Sequence, residues 1–121
     1  HTPAEFDRLF EAGGLDVAQP DVCIVGGLTP ASRIARRAHD HGVPLVPHVW
    51  GTPVALAASL QLIATLPGTP WLEFDRSPNP LREELSPTPF APDDGGLVHV
   101  PEGPGLGVEL DEAAIERYRV Q

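Results

Sequence analysis

The stretch from Val43 to Gly51, VPLVPHVWG, decides the fold class. Its first four residues form an apolar run, which is typical of a strand buried on both faces of a parallel sheet. His48 follows shortly after this predicted strand, and a Trp-Gly pair then leads to a new helix signal. A buried strand, a polar residue and a helix in this order are typical of the βα units of parallel sheets and barrels.

The same alternation of strand and helix signals extends to both sides of this stretch. At positions 2–3, 29–30 and 52–53 a Thr-Pro dipeptide precedes an apolar stretch and predicts a helix with threonine as N-cap and proline as first helical residue. Glycines at 13–14 and 42 predict where the first two helices end. Short strands are predicted between and after these helices: 15–19, 43–46 and 71–74, with a strand also assumed around Cys23 and another possible over 97–100.

Three βα units are too few to close a barrel, which needs eight strands and roughly 250 residues. We therefore predict an α/β fold in which residues 1–76 are βα units of a partial TIM barrel. Residues 77–121 are predicted to be a loop-rich C-terminal segment, and a turn is expected over 67–70. The 15 prolines and 12 glycines of the chain fit such loops, and 41% hydrophobic residues argue against general disorder.

Composition excludes several classes of protein. The 121 residues carry a net charge of −9, which argues against a nucleic-acid-binding protein with a basic surface. All eight cationic residues are arginines, so no lysine is present to form a Schiff base. The apolar stretch 54–66 is too short and too polar to span a membrane. The single cysteine, Cys23, excludes an internal disulfide, predicts a reducing, cytoplasmic compartment, and is expected to be buried and inert.

Polar side chains follow the predicted strands at their carboxyl ends, where βα barrels carry catalytic groups: Asp21, His48 and Glu73. Neighbouring parallel strands bring these ends together, so Asp21 could accept a hydrogen bond from His48 and fix the imidazole tautomer for acid/base chemistry. The alternatives are a structural histidine and a solvated acid in a Pro-Asp turn.

Glu73 lies between two apolar residues, and the sequence allows two interpretations of its side chain. It could remain protonated and donate a hydrogen bond, or it could form an ion pair with Arg76 at the mouth of the barrel. Trp50 could form a wall of a pocket beside His48, although packing is the commoner role of a tryptophan. His39 and His41 lie at the end of an arginine-rich helix, so we do not predict a metal site from them.

Five blocks in order carry a resemblance to a known family: 19–21 (QPD), 26–29 (GGLT), 46–51 (VPHVWG), 73–80 (EFDRSPNP) and 101–107 (PEGPGLG). Together they resemble the C-terminal barrel region of the mandelate racemase/muconate lactonizing enzyme family of the enolase superfamily, and its acid-sugar members in particular. The resemblance covers essentially the whole chain.

The resemblance implies that the chain supplies about strands six to eight of a (β/α)8 barrel, plus a C-terminal segment that returns to the lid domain. It implies that His48 is the general base and Asp21 its partner, and that Glu73 binds a carboxylate oxygen of the substrate. Family members use a divalent metal, usually Mg²⁺, to stabilise an enediolate. The ligands of that metal lie on earlier strands, so no metal ligand is assigned to this chain.

The implied activity is that of an acid-sugar lyase or isomerase. Abstraction of the proton α to a carboxylate would open the ring of an aldarolactone, as a cycloisomerase does, or dehydrate a sugar acid. The expected partner is a small hydroxycarboxylate substrate, with Trp50 and Arg76 as substrate-binding residues. The intact enzyme is expected to be a homo-oligomer, and this chain alone is expected to be inactive. Alternatives are a racemase or epimerase of the same family, a degenerate binding paralogue, and a generic αβ binding module without an Asp21–His48 contact.

Overall fold

A computed structural model describes residues 1–67 and 71–120. The turn predicted over 67–70 therefore lies mostly outside the described residues, as does Gln121. Within the described ranges the chain forms five helices: α1 (Pro3–Glu11), α2 (Leu28–Asp40), α3 (Pro53–Ile63), α4 (Pro80–Glu84) and α5 (Glu112–Arg117). In that part of the chain, none of the helices has the length and hydropathy needed to cross a membrane.

Helix α1 begins where the sequence predicts, with a complete capping box. The side chain of Thr2 accepts a hydrogen bond from the backbone N–H of Glu5, and Glu5 accepts one from the backbone N–H of Thr2. These reciprocal bonds satisfy backbone donors that the first turn leaves free. The predicted cap of α3, Thr52, is also confirmed as the N-cap, without a side-chain hydrogen bond. Asp111 is the N-cap of α5, and its side chain accepts hydrogen bonds from the first turn.

Helix α2 begins at Leu28, two residues before the predicted start, because Gly27 and not Thr29 is the N-cap. Gly27 has φ +107°, a conformation that favours glycine and turns the chain into the helix. Pro30 then lies within the first turn, where its missing N–H costs nothing. Ile34, Ala35 and Ala38 are buried and form the inner face of the helix.

The strand assumed around Cys23 is wrong, because residues 22–26 form a turn. The carboxylate of Asp21 accepts hydrogen bonds from the backbone N–H groups of Cys23 and Ile24, at 2.8 and 3.3 Å. This local bonding closes the chain into a turn in place of a strand. Cys23 is consequently exposed, and the prediction that it is buried is also wrong.

Helix α4 falls inside the segment that the sequence predicts to be irregular. Its start has a recognisable signal, because Asn79 is the N-cap and Pro80 the first helical residue. The same cap-then-proline pattern is present at the starts of α1 and α3. The high proline content of the surrounding segment masks the signal.

One parallel β-bridge, between Ala18 and Leu45, joins the predicted strands 15–19 and 43–46. The N–H of Ala18 donates to the carbonyl of Pro44 at 2.8 Å, and the N–H of Val46 donates to the carbonyl of Ala18 at 3.0 Å. Within the described residues, the predicted strands 71–74 and 97–100 show no ladder pairing. Apolar side chains from these two segments pack instead on a buried cluster of α3 and its preceding turn.

Two apolar clusters form the core. The larger one packs α1, α2 and part of α3 around the bridge, and it includes Phe10, Ala18, Ile34, Leu45 and Leu62. The smaller one consists of Val49, Leu56 and Leu60, with Leu72, Phe74, Phe90, Val98 and Val100 packed against it. Because Val49 follows His48 directly, the second cluster anchors the turn that carries the histidine.

A glycine pair in the 101–107 loop gives a test of close packing. This loop is held on α3, since the side chain of Gln61 donates to the carbonyl of Pro101 at 2.9 Å. A Cβ at Gly107 would lie 2.7 Å from Cβ of Pro101, whereas a Cβ at Gly105 would meet nothing within 4 Å. Both glycines have positive φ, +72° and +66°, so the backbone strain of an alanine is the same.

We expect Gly107→Ala to lower the free energy of unfolding by about 1–3 kcal/mol more than Gly105→Ala does, because only the former adds a steric clash. Denaturant unfolding of the two variants beside the wild type measures this difference. Equal destabilisation of both variants would contradict the packing of the loop against Pro101.

Candidate active site

The isolated parallel bridge sets the register of the two extended segments that lead to the predicted catalytic residues. Asp21 lies three residues after Ala18, and His48 lies three residues after Leu45. Because Ala18 and Leu45 pair directly, the two side chains lie at the same level beyond the bridge. A buried proline precedes each of them, Pro20 and Pro47, so the two bridged segments end in the same way.

Asp21 and His48 are in contact. Nδ1 of His48 lies 2.9 Å from Oδ2 of Asp21. The Asp21 side chain is 15% exposed, whereas the imidazole is 46% exposed. The other ring nitrogen, Nε2, has no hydrogen-bond partner among residues 1–67 and 71–120. The histidine thus has one nitrogen oriented by a carboxylate and the other free to exchange a proton with a ligand.

Asp21 is itself held in place by the turn that follows it. Its Oδ1 accepts the backbone N–H groups of Cys23 and Ile24, and its Oδ2 faces His48. The two oxygens therefore have separate partners, which fixes the rotation of the carboxylate. Partial burial and the charge of Asp21 raise the pKa of the Cys23 thiol. Cys23 is thereby disfavoured as a nucleophile at neutral pH.

Glu73 lies beside the same strand end. Its Oε2 accepts a hydrogen bond from Nε2 of Gln19 at 3.2 Å. Gln19 and Asp21 flank buried Pro20, so one tripeptide contacts both Glu73 and, through Asp21, His48. Sequence reasoning assigned no role to Gln19; its position two residues before Asp21, on the same side of an extended chain, is the signal that could have identified it.

The remaining predicted residues are not part of this contact network. Arg76 is exposed and forms no ion pair with Glu73 within the ranges that the structure describes. Trp50 follows His48 closely, and its residue is 67% exposed, so little of its indole packs on the chain. Both residues are free to contact a ligand, and the structure joins neither of them to the Asp21–His48 pair.

The part of the chain that the structure describes does not form a metal site. Across residues 1–67 and 71–120, no group of three or more His, Cys, Asp or Glu side chains is arranged to hold a metal ion. His41, one of the two helix-end histidines, stacks on the ring of Phe10 with 5.5 Å between centroids. We derive no chemical step through a metal from these residues.

Comparison with known proteins identifies the family. Residues 1–114 match the family described as enolase C-terminal domain-like. The D-galactarolactone cycloisomerase of Agrobacterium fabrum is 42% identical over 121 residues, which cover 93% of this chain and 32% of that protein. The D-galactonate dehydratase of Ralstonia nicotianae is 39% identical over 122 residues, covering 95% and 32%.

Solved structures agree with the sequence matches. The 3,6-anhydro-D-galactonate cycloisomerase from Zobellia galactanivorans superposes with a TM-score of 0.87 at 42% identity, covering 96% of this chain and 32% of its own. The chain spans about a third of the length of the relatives that it matches. It therefore belongs to the enolase C-terminal domain-like family of the enolase superfamily, in its mandelate racemase/muconate lactonizing branch, and has the α/β fold of the C-terminal part of the TIM barrel.

Proposed function

We propose that this chain is the C-terminal part of a longer acid-sugar lyase or isomerase, in which His48 transfers the proton α to a substrate carboxylate. The observation that carries this proposal is the 2.9 Å contact between Nδ1 of His48 and Oδ2 of Asp21, with Nε2 left free. A carboxylate on one ring nitrogen holds the tautomer in which the other nitrogen is a base. The family supports the reaction class, and its cycloisomerases and dehydratases act on acid sugars by name.

His48 and Asp21 have complementary roles in the proposed step. Nε2 of His48 takes the α-proton, and Asp21 stabilises the imidazolium that forms, through the hydrogen bond to Nδ1. In a lyase the same imidazolium then donates its proton to the leaving group on the neighbouring carbon. Because the Asp21 carboxylate is already held by backbone N–H groups, it does not need to reorient during the step.

Glu73 is proposed to bind the substrate carboxylate. Gln19 occupies Oε2 of Glu73, which leaves Oε1 for the ligand. Glu73 would form a hydrogen bond with a substrate carboxylate oxygen as negative charge develops there, with the proton of that bond shared between the two oxygens. Trp50 and Arg76 are exposed and lie two residues after His48 and three residues after Glu73, and they are proposed to contact the distal hydroxyl groups of the acid sugar.

Glu73→Gln and Glu73→Leu in the intact enzyme test whether Glu73 acts as a hydrogen-bond donor to the substrate or as a charged group. Glutamine keeps an oxygen for Gln19 and offers an N–H to the substrate, so we expect kcat/KM to stay within about threefold. Leucine removes the donor, and we expect kcat/KM to fall about 10- to 100-fold. Steady-state kinetics measure both, with Glu102→Leu in an exposed loop as control; an equal loss in both Glu73 variants would contradict the donor role.

The finer reaction is proposed from the relatives. Cycloisomerisation of an aldarolactone is the first candidate, because the cycloisomerase of Agrobacterium fabrum and that of Zobellia galactanivorans are each 42% identical to this chain. Dehydration of an aldonate is the second, because a D-galactonate dehydratase is 39% identical. Mg²⁺ is proposed to be bound by other parts of the intact enzyme. The cytoplasmic location, the homo-oligomeric state and the division at residues 76 and 77 stay predictions.

A library of acid sugars and their lactones tests the proposal with the intact enzyme. We expect one class to exchange its α-proton with solvent deuterium, as followed by NMR. Ring opening of a lactone would assign a cycloisomerase, and a 2-keto-3-deoxy acid product would assign a dehydratase. Absence of exchange and turnover with every acid sugar and lactone, in the presence of Mg²⁺, would overturn the proposal in favour of a degenerate binding paralogue.

A further inference from the structure

The turn that carries His48 is fixed at both ends. Pro47 and Pro53 are both less than 2% exposed, and only five residues separate them. Val49 is 8% exposed and packs in the smaller core cluster. Gly51 has φ +130°, which favours glycine. Since the imidazole itself is half exposed, its position depends on how this turn is held.

The segment that includes Glu73 and α4 holds the turn from the other side. Nδ2 of Asn79 donates a hydrogen bond to the carbonyl of Gly51 at 3.3 Å. The space left between the turn and this segment is a crevice of about 10 Å³, whose lining includes Gly51, Phe74 and Arg82. Such a crevice is at the lower limit for one water molecule, so the two segments are in close contact.

Asn79 is held by a set of polar contacts that we call the anchoring network: Asp75, Ser77, Asn79 and Arg82. Oδ1 of Asn79 accepts the backbone N–H of Arg82 as the N-cap of α4, at 3.4 Å. The Arg82 guanidinium donates to Asp75 at 2.6 Å. Ser77 donates to the same carboxylate from its backbone N–H and its hydroxyl, at 2.8 and 2.7 Å.

The anchoring network is stable across neutral pH. The hydrogen bonds from Ser77, and then the Arg82 guanidinium, hold the pKa of Asp75 below its ordinary value. The carboxylate is therefore charged at neutral pH and keeps Arg82 paired. Arg82 and Asp75 are only 13% and 19% exposed, so this pair is shielded from solvent more than a surface ion pair.

We propose that Asn79 is a positioning residue for His48: its side chain joins the N-terminus of α4 to the Gly51 carbonyl and so holds the turn that aims the imidazole. The inference rests on the proposed function of His48, and it extends the site to the N-cap of a helix that forms no hydrogen bond with Asp21 or His48 within the described residues. Small displacements of a reacting group cost large factors in rate, so this hydrogen bond would affect catalysis from a distance.

An isosteric exchange separates positioning from helix capping. Asn79→Asp keeps the cap of α4, because aspartate and asparagine cap equally well, but it removes the donor to Gly51. Asn79→Ser keeps the cap without adding charge. Asp111→Asn makes the reverse exchange at the cap of α5 and is the matched control. In the intact enzyme we expect both Asn79 variants to lower kcat about 10-fold, with KM within twofold and an unchanged melting temperature, and we expect Asp111→Asn to keep wild-type kinetics.

Crystal structures of the same variants give a readout independent of turnover. We expect the Gly51 carbonyl to shift in both Asn79 variants and the distance from His48 Nδ1 to Asp21 Oδ2 to exceed 3.5 Å, with no change in Asp111→Asn. An unmoved turn, or a kcat within twofold of wild type, would overturn the inference. A shifted turn in an enzyme whose wild type acts on no acid sugar would uphold the anchoring and reject the proposed function.

Discussion

His48→Asn in the intact enzyme is expected to lower kcat about 10³-fold, within the range of 10²–10⁴ that general acid/base groups contribute. Asparagine can still donate to Asp21 from its amide, so the turn keeps its hydrogen bond. It has no nitrogen that can take a proton at neutral pH, and the reacting nitrogen Nε2 is lost. The loss should fall on kcat, with little change in KM, because proton transfer belongs to the chemical step.

Exchange of the substrate α-proton with solvent deuterium tests this role directly. We expect His48→Asn to abolish exchange along with turnover, since both require the same proton transfer. His39→Asn is the matched control, because His39 is an exposed histidine at the end of α2. Exchange at the wild-type rate in His48→Asn would remove His48 from the proposed mechanism.

Asp21→Asn is expected to lower kcat by a similar factor, about 10²–10⁴, through the tautomer of His48. Oδ1 of residue 21 accepts two backbone N–H groups, so the amide oxygen of asparagine should occupy that place. The amide NH₂ then faces Nδ1 of His48 and donates to it. A histidine that accepts at Nδ1 carries its proton on Nε2, where the base is needed.

Comparison of two substitutions at this position separates orientation from packing. We expect Asp21→Asn to be at least as damaging to kcat as Asp21→Ala, because alanine leaves the imidazole free to reach the active tautomer. Asp16→Asn, at an exposed position shortly before the site, serves as control. A variant Asp21→Asn that is tenfold more active than Asp21→Ala would show that the carboxylate acts through packing alone.

Much of the fold could be predicted from local signals, and the errors have physical causes. The capping box of α1 requires only the identities of Thr2 and Glu5, which are three residues apart. The start of α2 depends on the positive φ of Gly27, which residue types do not reveal when a Thr-Pro pair follows directly. The apolar residues after Asp21 predict a strand. The structure has a turn there because the Asp21 side chain accepts hydrogen bonds from the backbone, and the apolar run gives no sign of these bonds.

The contacts of the candidate site also include some that the sequence could predict and some that it could not. The facing of Asp21 and His48 follows from equal spacing along two parallel strands, so the sequence could predict it. The contact between Gln19 and Glu73 joins residues 54 positions apart, and the contact between Asn79 and Gly51 spans 28. The position of Gln19 beside Asp21 could indicate that it lies at the site, but its partner, like that of Asn79, depends on tertiary placement and is not indicated by the sequence.

The contrast between buried Pro47 and exposed Trp50 has an evolutionary consequence. The residues that orient the imidazole are packed or bonded within the chain, whereas Trp50, 67% exposed, is free of such constraints. Substitutions at exposed positions usually change stability by less than about 0.5 kcal/mol. Natural variation can therefore alter the rim of the site with little cost in folding. Under the proposed function, one proton-transfer pair could in this way serve related enzymes that accept different sugars.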